Sequence, residues 1–83
     1  MKYKLVYTKK AVKHINRLDS VVKKRLKKAL EKFIERPFYF AEKLTDSRLG
    51  EYRWRMGDYR IIFDYKNSNV IILCVGHRRE IYR

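Results

Sequence analysis

The chain has 83 residues and a formal net charge of +13 at pH 7, from 22 Lys and Arg residues against 9 Asp and Glu residues. With 46% hydrophobic and 14% aromatic residues, it can build the core of one small domain spanning residues 1–83, which excludes a disordered chain. The charge favours a polyanionic partner: a nucleic acid, an acidic protein or an anionic membrane surface.

Composition gives no indication of a metalloprotein, a disulfide-rich protein or a membrane-spanning protein. The single cysteine, Cys74, lies among Val, Ile and Leu and is expected to be a small buried apolar residue. The two histidines, His14 and His77, are far apart in sequence and offer no basis for a structural zinc site. Because we find no apolar run of about 18 residues and no signal peptide, we expect neither a membrane span nor secretion. With no disulfide framework either, we expect a cytoplasmic protein, and we expect no metal, no cofactor and no membrane partner.

The first half of the sequence predicts a strand followed by two helices. Polar and apolar residues alternate over residues 2–7, as in a strand with one buried face. Thr8 can cap a helix that runs through residue 18, and Asp19 can cap a second helix that runs through about residue 35. Apolar side chains recur at helical spacing along both segments, so we predict an antiparallel helical hairpin.

A long connection follows the second helix. Pro37 ends that helix, because the residue before a proline avoids helical geometry. Residues 37–50 then contain no clear periodic pattern, and we expect Phe38, Phe40 and Leu44 to pin this connection to the body of the protein.

The remaining sequence predicts three strands in an antiparallel meander. The first two lie at about 51–56 and 59–65, and the third at 70–75, where VIILCV is apolar on both sides and indicates a central strand covered on both faces. The predicted fold is therefore α+β: two N-terminal helices packed on one face of a twisted antiparallel sheet, in the order strand, helix, helix, strand, strand, strand.

The segment EYRWRMGDYRIIF contains an unusual arrangement of arginines. Side chains alternate across a strand, so Arg53 and Arg55 share the face opposite to the apolar residues between them. Gly57 suits the first central position of a two-residue type II′ turn, which would pair Arg55 directly with Arg60. Opposed like charges weaken a hairpin by a few tenths of a kcal/mol, roughly, so such a pair suggests a site that holds an anion.

Two motifs in this order resemble the RelE/ParE superfamily of toxin–antitoxin systems. The segment YRWRMGDYRIIF is similar to the family core "yR-x-R-x-G-x-YR-ii-y", and the tail VGHRREIYR is similar to the family ending "v-x-hR-x-x-x-Y". The resemblance implies a microbial-RNase-like fold. It also implies one of two activities: RelE-type members cut messenger RNA in the ribosomal A site without a metal, whereas ParE-type members poison DNA gyrase. Both types are held inactive by an antitoxin protein.

The resemblance also implies an active site. Five residues match the active-site positions of the family motif: Arg53, Arg55, Arg60, Arg78 and Tyr82. RelE-type toxins often carry lysines at the first two positions, and an arginine cannot replace a lysine as a base, because its pKa exceeds ~12. We therefore assign the first three arginines to clamping the phosphate and stabilising its charge. Arg78 would act as an electrostatic partner of the leaving oxygen.

The proton carriers stay open at this point. His77 titrates in the useful range, Tyr82 can transfer a proton or stack on a base, and Glu51 and Glu80 are weaker candidates for a base. The basic face of the second helix is either a solvated surface or a contact with ribosomal RNA phosphates. Its members are Lys23, Lys24, Lys27 and Lys28.

We therefore expect a RelE-type toxin, a ribosome-dependent endoribonuclease in which the 2′-hydroxyl of the message attacks the phosphate. The alternatives are a ParE-like gyrase inhibitor without nuclease activity and a plain basic module that binds nucleic acid. The expected partners are the message, the ribosome and an acidic RelB-like antitoxin, which covers the arginine face or displaces the tail. Arg60 and Arg78 are expected outside the core, so that their replacement by Ala abolishes growth arrest without unfolding the protein.

Overall fold

A computed structural model of the chain describes residues 2–46 and 48–82. The strands are Lys4–Tyr7 (β1), Glu42–Lys43 (β2), Tyr52–Met56 (β3), Tyr59–Lys66 (β4) and Asn69–His77 (β5). The helices are Lys9–Asn16 (α1), Ser20–Glu35 (α2), Pro37–Phe40 (α3) and Arg78–Ile81 (α4). The predicted α+β order is confirmed, with three short elements added to it: α3, β2 and α4.

The five strands form one sheet in the order β1-β5-β4-β3-β2. The meander from β3 to β5 is antiparallel, as predicted, and β5 is an interior strand. One pair differs from the predicted antiparallel sheet, because β1 lies parallel to β5, with Leu5 opposite Val70. A parallel neighbour needs a long crossover, and the chain between β1 and β5 provides one.

Both long helices begin at the predicted caps. The hydroxyl oxygen of Thr8 accepts a hydrogen bond from the Ala11 N–H at 3.1 Å and donates to the carbonyl of Ile72, also at 3.1 Å, so one side chain caps α1 and ties it to β5. A carboxylate oxygen of Asp19 accepts from the Val22 N–H at 2.9 Å and caps α2. The first helix ends at Asn16, two residues earlier than predicted.

The helices cover one face of the sheet and enclose the core with it. The apolar stripe of α2, including Leu26 and Phe33, packs toward Trp54 and Phe63 of the sheet. The Phe33 and Trp54 ring centroids are 5.0 Å apart, and Trp54 is completely buried. No helix in the described part of the chain is long and apolar enough to cross a membrane.

The connection between α2 and β3 is more ordered than its sequence indicates. Pro37 occupies the first turn of α3, where its missing N–H costs nothing, and its carbonyl accepts a hydrogen bond from the Trp54 indole N–H at 2.8 Å. Phe40 packs on Phe33 with ring centroids 5.4 Å apart. The connection is therefore fixed from the core side, and it delivers the two residues of β2 to the open edge of β3.

The second face of the sheet is covered in part by the chain on either side of the hairpin. A Cβ added to Gly50, which has φ +154°, would lie 2.6 Å from a methyl group of Ile62, so the connection runs directly over β4. On the other side, the side chain of Ile81 in α4 lies over Gly76, where an added Cβ would be 3.3 Å from it. A strip of the second face stays open between these two covers.

Candidate active site

The β3–β4 hairpin has the predicted register. Arg55 pairs with Arg60 across it, and Gly57 has φ +60° at the turn. Trp54 points into the helix-covered core, so Arg53 and Arg55 project from the opposite face.

A carboxylate lies between the first two arginines. One oxygen of Glu42 is 3.0 Å from Nε of Arg53 and 2.6 Å from Nε of Arg55. It is placed there because Glu42 is the β2 residue that pairs with Arg53. The hydrogen bond from Arg53, together with the positive charges of both arginines, lowers the pKa of Glu42, so its carboxylate is ionised at neutral pH.

The chain end reaches the same place. The hydroxyl of Tyr82 accepts a hydrogen bond from Nη1 of Arg53 at 2.7 Å, and α4 carries Tyr82 to that position. Hydrogen bonds to Tyr82 and then to Glu42 raise the pKa of Arg53. Residues from β2, β3 and the tail therefore form one connected cluster: Glu42, Arg53, Arg55 and Tyr82.

A cleft of ≈ 600 Å³ opens beside this cluster. The connection, with Leu44 and Leu49, lines one side of it, and Ile81 and Tyr82 line the other, with Arg53 between them. The cleft is thus the open strip of the second sheet face, and two members of the cluster, Arg53 and Tyr82, line it. The other two members line a neighbouring groove. A polyanionic chain can enter the cleft from solvent and meet both a guanidinium group and a phenol.

Arg60 is buried, contrary to expectation. It is only 7% exposed, so the prediction that it lies outside the core is wrong. Its Nη1 donates to the carbonyl of Gly57 at 2.7 Å and to that of Tyr59 at 3.0 Å. The guanidinium groups of the two opposed arginines therefore point in different directions, because Arg60 binds the hairpin carbonyls and Arg55 binds Glu42.

Arg78 lies at the turn end of the hairpin. Its backbone N–H donates to the carbonyl of Asp58 at 2.8 Å, and its Nε is 3.7 Å from a carboxylate oxygen of the same residue. The side chain is half exposed, in agreement with its expected place outside the core. Arg60 and Arg78 thus bind consecutive residues of one turn, next to the cluster rather than within it.

The other candidate proton carriers are elsewhere. The ring of His77 lies 5.6 Å from that of Tyr59, on the helix side, and its Nδ1 accepts from the Arg79 N–H at 3.2 Å as the cap of α4. Glu80 lines the same small cleft as His77. Glu51 accepts a hydrogen bond from the Tyr65 N–H at 3.3 Å. The structure therefore does not bring any of these three side chains to the arginine cluster.

The four lysines of α2 that were predicted to contact RNA are Lys23, Lys24, Lys27 and Lys28, and the sheet separates them from Arg53 and Arg55. All four are exposed on the helix layer, and Lys23 and Lys27 border an apolar groove between α1, α2 and β1. A ligand phosphate bound at Arg53 could not also touch them. Within residues 2–46 and 48–82, no three His, Cys, Asp or Glu side chains gather as potential metal ligands.

Sequence reasoning missed Glu42. It falls in a connection without periodic pattern, eleven residues before Arg53, and only a two-residue strand brings the two together. One chemical argument could have predicted a residue such as Glu42. Arginines grouped on one sheet face repel each other, so the free protein needs a nearby carboxylate to offset their charge.

Comparison with known proteins gives one family. The family model described as "ParE toxin of type II toxin-antitoxin system, parDE" matches residues 5–82. No curated protein sequence matches the chain significantly.

Several solved structures share the fold. The isolated E. coli RelE toxin is 29% identical, with a TM-score of 0.75 over 96% of this chain and 90% of that one. A chain of the archaeal RelE–RelB complex from Pyrococcus horikoshii OT3 is 27% identical, with a TM-score of 0.73 over 96% of this chain and 99% of that one. A chain of the toxin–antitoxin complex RelBE2 from Mycobacterium tuberculosis has a TM-score of 0.81 at 23% identity, over 92% and 98% of the two chains, which shows a shared fold.

Proposed function

The chain belongs to the RelE/ParE superfamily of type II toxin–antitoxin systems, and we propose that it is a RelE-type toxin that cleaves messenger RNA on the ribosome. The observation that carries the proposal is the connected cluster of Glu42, Arg53, Arg55 and Tyr82, which borders an open cleft through Arg53 and Tyr82. These side chains are a carboxylate, two guanidinium groups and a phenol, and they can supply the base, the positive charge and the proton donor that RNA cleavage without a metal requires.

The proposed reaction begins at the 2′-hydroxyl of the message. The Glu42 carboxylate contacts both Arg53 and Arg55, and in its ionised form it can accept the 2′-hydroxyl proton. The 2′-oxygen bonds to phosphorus and the bond from phosphorus to the 5′-oxygen breaks. The phenol of Tyr82 uses its own O–H to protonate that leaving oxygen, since its oxygen already accepts from Arg53. The products are a 2′,3′-cyclic phosphate and a free 5′-hydroxyl.

The arginines stabilise the charge that builds on the phosphorane. Both use Nε to bind Glu42, and a terminal N–H of Arg53 binds Tyr82. An arginine has five N–H donors, so further donors are available for phosphate oxygens. Because the guanidinium groups are positioned before the RNA arrives, little reorganisation is needed as the charge develops. Arg60 and Arg78 add positive charge nearby from the hairpin turn.

The proposed partners follow from charge and from the relatives. The chain carries +13, which suits ribosomal RNA and an acidic antitoxin. Two of the related structures are complexes with antitoxins, one of them named RelB. We expect a RelB-like antitoxin here, which either covers the arginine face or displaces Tyr82 from Arg53.

The test is induction of the protein in cells, followed by primer extension on a reporter message. The wild type should arrest growth and leave cuts inside codons of the translated region. Arg53→Ala and Tyr82→Phe should abolish the cuts while the protein stays folded by circular dichroism. Arg17→Ala, which removes an exposed arginine on the helix side, should cut like the wild type. Growth arrest with an intact message would reject the nuclease.

The second candidate is a ParE-like inhibitor of DNA gyrase. It is favoured by the description of the matching family model. It predicts a DNA-damage response, inhibition of gyrase supercoiling in vitro and no cut ends in the message. The same induction experiment separates the two, because primer extension and the damage response are read from one culture.

A further inference from the structure

A second groove begins at the cluster and leads away from the cleft. It has a volume of ≈ 410 Å³ and lies between α2 and the open edge of β3. Glu42 and Arg55 line it, and its remaining lining comes from α2, α3 and β3, including Lys32 and Phe40. The groove and the proposed active site therefore share two side chains.

Cations cover the aromatic rings along this path. Nζ of Lys32 lies 5.0 Å from the centroid of the Phe40 ring, and Cζ of Arg36 lies 4.1 Å from that of Tyr39. The rings of Tyr39 and Phe40 meet edge to face with centroids 5.0 Å apart. Phe40 thus lines the groove that Arg55 borders, and Tyr39 adjoins that groove through its contact with the Phe40 ring.

Tyr39 has no evident part in the core. It is 68% exposed, although its neighbour Pro37 is fully buried. An exposed ring with a guanidinium on one face leaves the other face free for a planar partner. Proteins that bind single-stranded nucleic acid combine these features, since bases stack on aromatic rings and the basic groups follow the phosphates.

We propose that this groove holds the nucleotides that flank the cleaved phosphate, as unpaired single-stranded RNA. An unpaired base stacks on the exposed face of Tyr39, and Lys32 and Arg36 contact the phosphates between that base and Arg55. The charge of Glu42 is offset by Arg53 and Arg55, so the groove is net positive at its inner end. This inference rests on the proposed function, which places the cleaved phosphate at the arginine cluster.

The experiment measures binding of fluorescein-labelled RNA to the full chain by anisotropy. The RNA carries 2′-O-methyl groups throughout, so it cannot be cleaved by 2′-hydroxyl attack. Tyr39→Ala should bind a single-stranded oligonucleotide about tenfold more weakly, because the loss of one stacked base is worth that much. Tyr39→Phe should bind like the wild type. A dinucleotide has a single phosphodiester and cannot supply one phosphate to the arginines and another to Lys32 and Arg36, so it should bind all three proteins equally.

Two matched controls separate this path from general charge and hydrophobicity. Tyr7→Ala removes a half-exposed tyrosine from β1, at the other edge of the sheet, and should leave RNA affinity unchanged. Lys32→Gln should reduce the slope of log affinity against log salt by about 0.7, the share of one single-strand phosphate. Lys13→Gln, on exposed α1, should leave the slope unchanged.

The inference is wrong if Tyr39→Ala binds the longer oligonucleotide as tightly as the wild type, or if duplex RNA binds equally well and with the same dependence on Tyr39. It is also wrong if Tyr39→Ala weakens binding of the antitoxin alone, because the groove would then serve a protein partner. The proposed function is tested separately, by cleavage of the message. If no cleavage occurs, the binding measurement can still be interpreted, because it uses RNA that cannot be cleaved.

Discussion

At the scale of single residues, each arginine of the hairpin has a partner before any RNA binds. Arg53 binds Glu42 and Tyr82, Arg55 binds Glu42, and Arg60 binds two backbone carbonyls. Exposed ion pairs add little stability, so the Glu42 contacts serve mainly to fix the direction of the guanidinium groups. The contacts of Arg60 are different, because its side chain is buried and donates to two backbone carbonyls of the hairpin.

Arg60 is therefore predicted to stabilise the fold. Arg60→Ala removes the donor to the Gly57 and Tyr59 carbonyls along with a buried stem, and should lower the free energy of unfolding by about 1–3 kcal/mol. Arg55→Ala, at the exposed position opposite, is the control and should cost about 0.5 kcal/mol or less. Urea denaturation measures both. Equal losses for the two variants would show that Arg60 is not structural.

Glu42 is predicted to act on the rate. Glu42→Gln keeps a hydrogen-bond acceptor near the arginines but cannot take up the 2′-hydroxyl proton, so kcat should fall by about 10²–10⁴. The KM for RNA should stay the same or fall, because one negative charge is removed. Since the arginines lower the pKa of Glu42, the wild-type rate should show no titration of this group from pH 8 down to about 5. Unchanged kcat in the variant would exclude Glu42 as the base.

At the scale of elements, sequence patterns predict the helices and strands that have a periodic pattern or a local cap or turn residue. The caps at Thr8 and Asp19 and the hairpin at Gly57 are local signals, and the structure confirms them. The short elements carry no such signal: β2 has two residues and α3 has four. They form because tertiary contacts fix them, such as the hydrogen bond from Trp54 to the Pro37 carbonyl. Glu42 was missed for this reason, since its place depends on β2.

The connection over β4 is predicted to tolerate no side chain at Gly50. In Gly50→Ala the new Cβ would lie 2.6 Å from Ile62 and 2.8 Å from Leu73, at a φ of +154°. The free energy of unfolding should fall by about 2 kcal/mol or more.

Gly57→Ala is its control. There φ is also positive, but the new Cβ would meet only the mobile end of Arg25, at 3.0 Å. We expect a loss of about 1 kcal/mol. Thermal or urea unfolding compares the two, and a neutral Gly50→Ala would show that the connection does not press on β4.

The contact between His14 and β5 is predicted to make the stability of the fold depend on pH. It lies at Val75, past the residues of β5 that pair with β1. Nδ1 of His14 accepts a hydrogen bond from the Val75 N–H at 3.2 Å, which requires the unprotonated nitrogen. Burial lowers the pKa of His14, with smaller effects from Lys10 and Arg17. The contribution is therefore complete above the unfolded pKa of about 6.5 and is lost as pH falls through that value toward the lower folded pKa.

His14→Ala should lower stability by about 1 kcal/mol at pH 7.5 and by less at pH 5.5. The measurement is the urea midpoint of both proteins at the two pH values. If the wild type and the variant lose the same amount of stability from pH 7.5 to pH 5.5, the proposed role of His14 is wrong.

At the scale of the whole molecule, the two faces of the sheet differ in role: one forms the core with the helices, and the other carries the candidate active site. The helices and one sheet face make the core, and the four lysines of α2 that were predicted to contact RNA lie on the outside of that layer. The other face carries the arginines, the cleft and the chain end. Alternation along β3 was enough to predict that Arg53 and Arg55 share a face. It could not predict that Tyr82 reaches Arg53 or that His77 turns to the helix side, because both depend on the path of the chain after β5.

The most direct measurement of RNA cleavage by this site uses ribosomes programmed with a defined message. The wild-type protein should cut the message in the A site and leave a 2′,3′-cyclic phosphate. A message with a single 2′-deoxynucleotide at the cut position should stay intact, because the attacking hydroxyl is missing. An intact ribose message at high protein concentration, or a cut in the deoxy-substituted message, would contradict the proposed reaction.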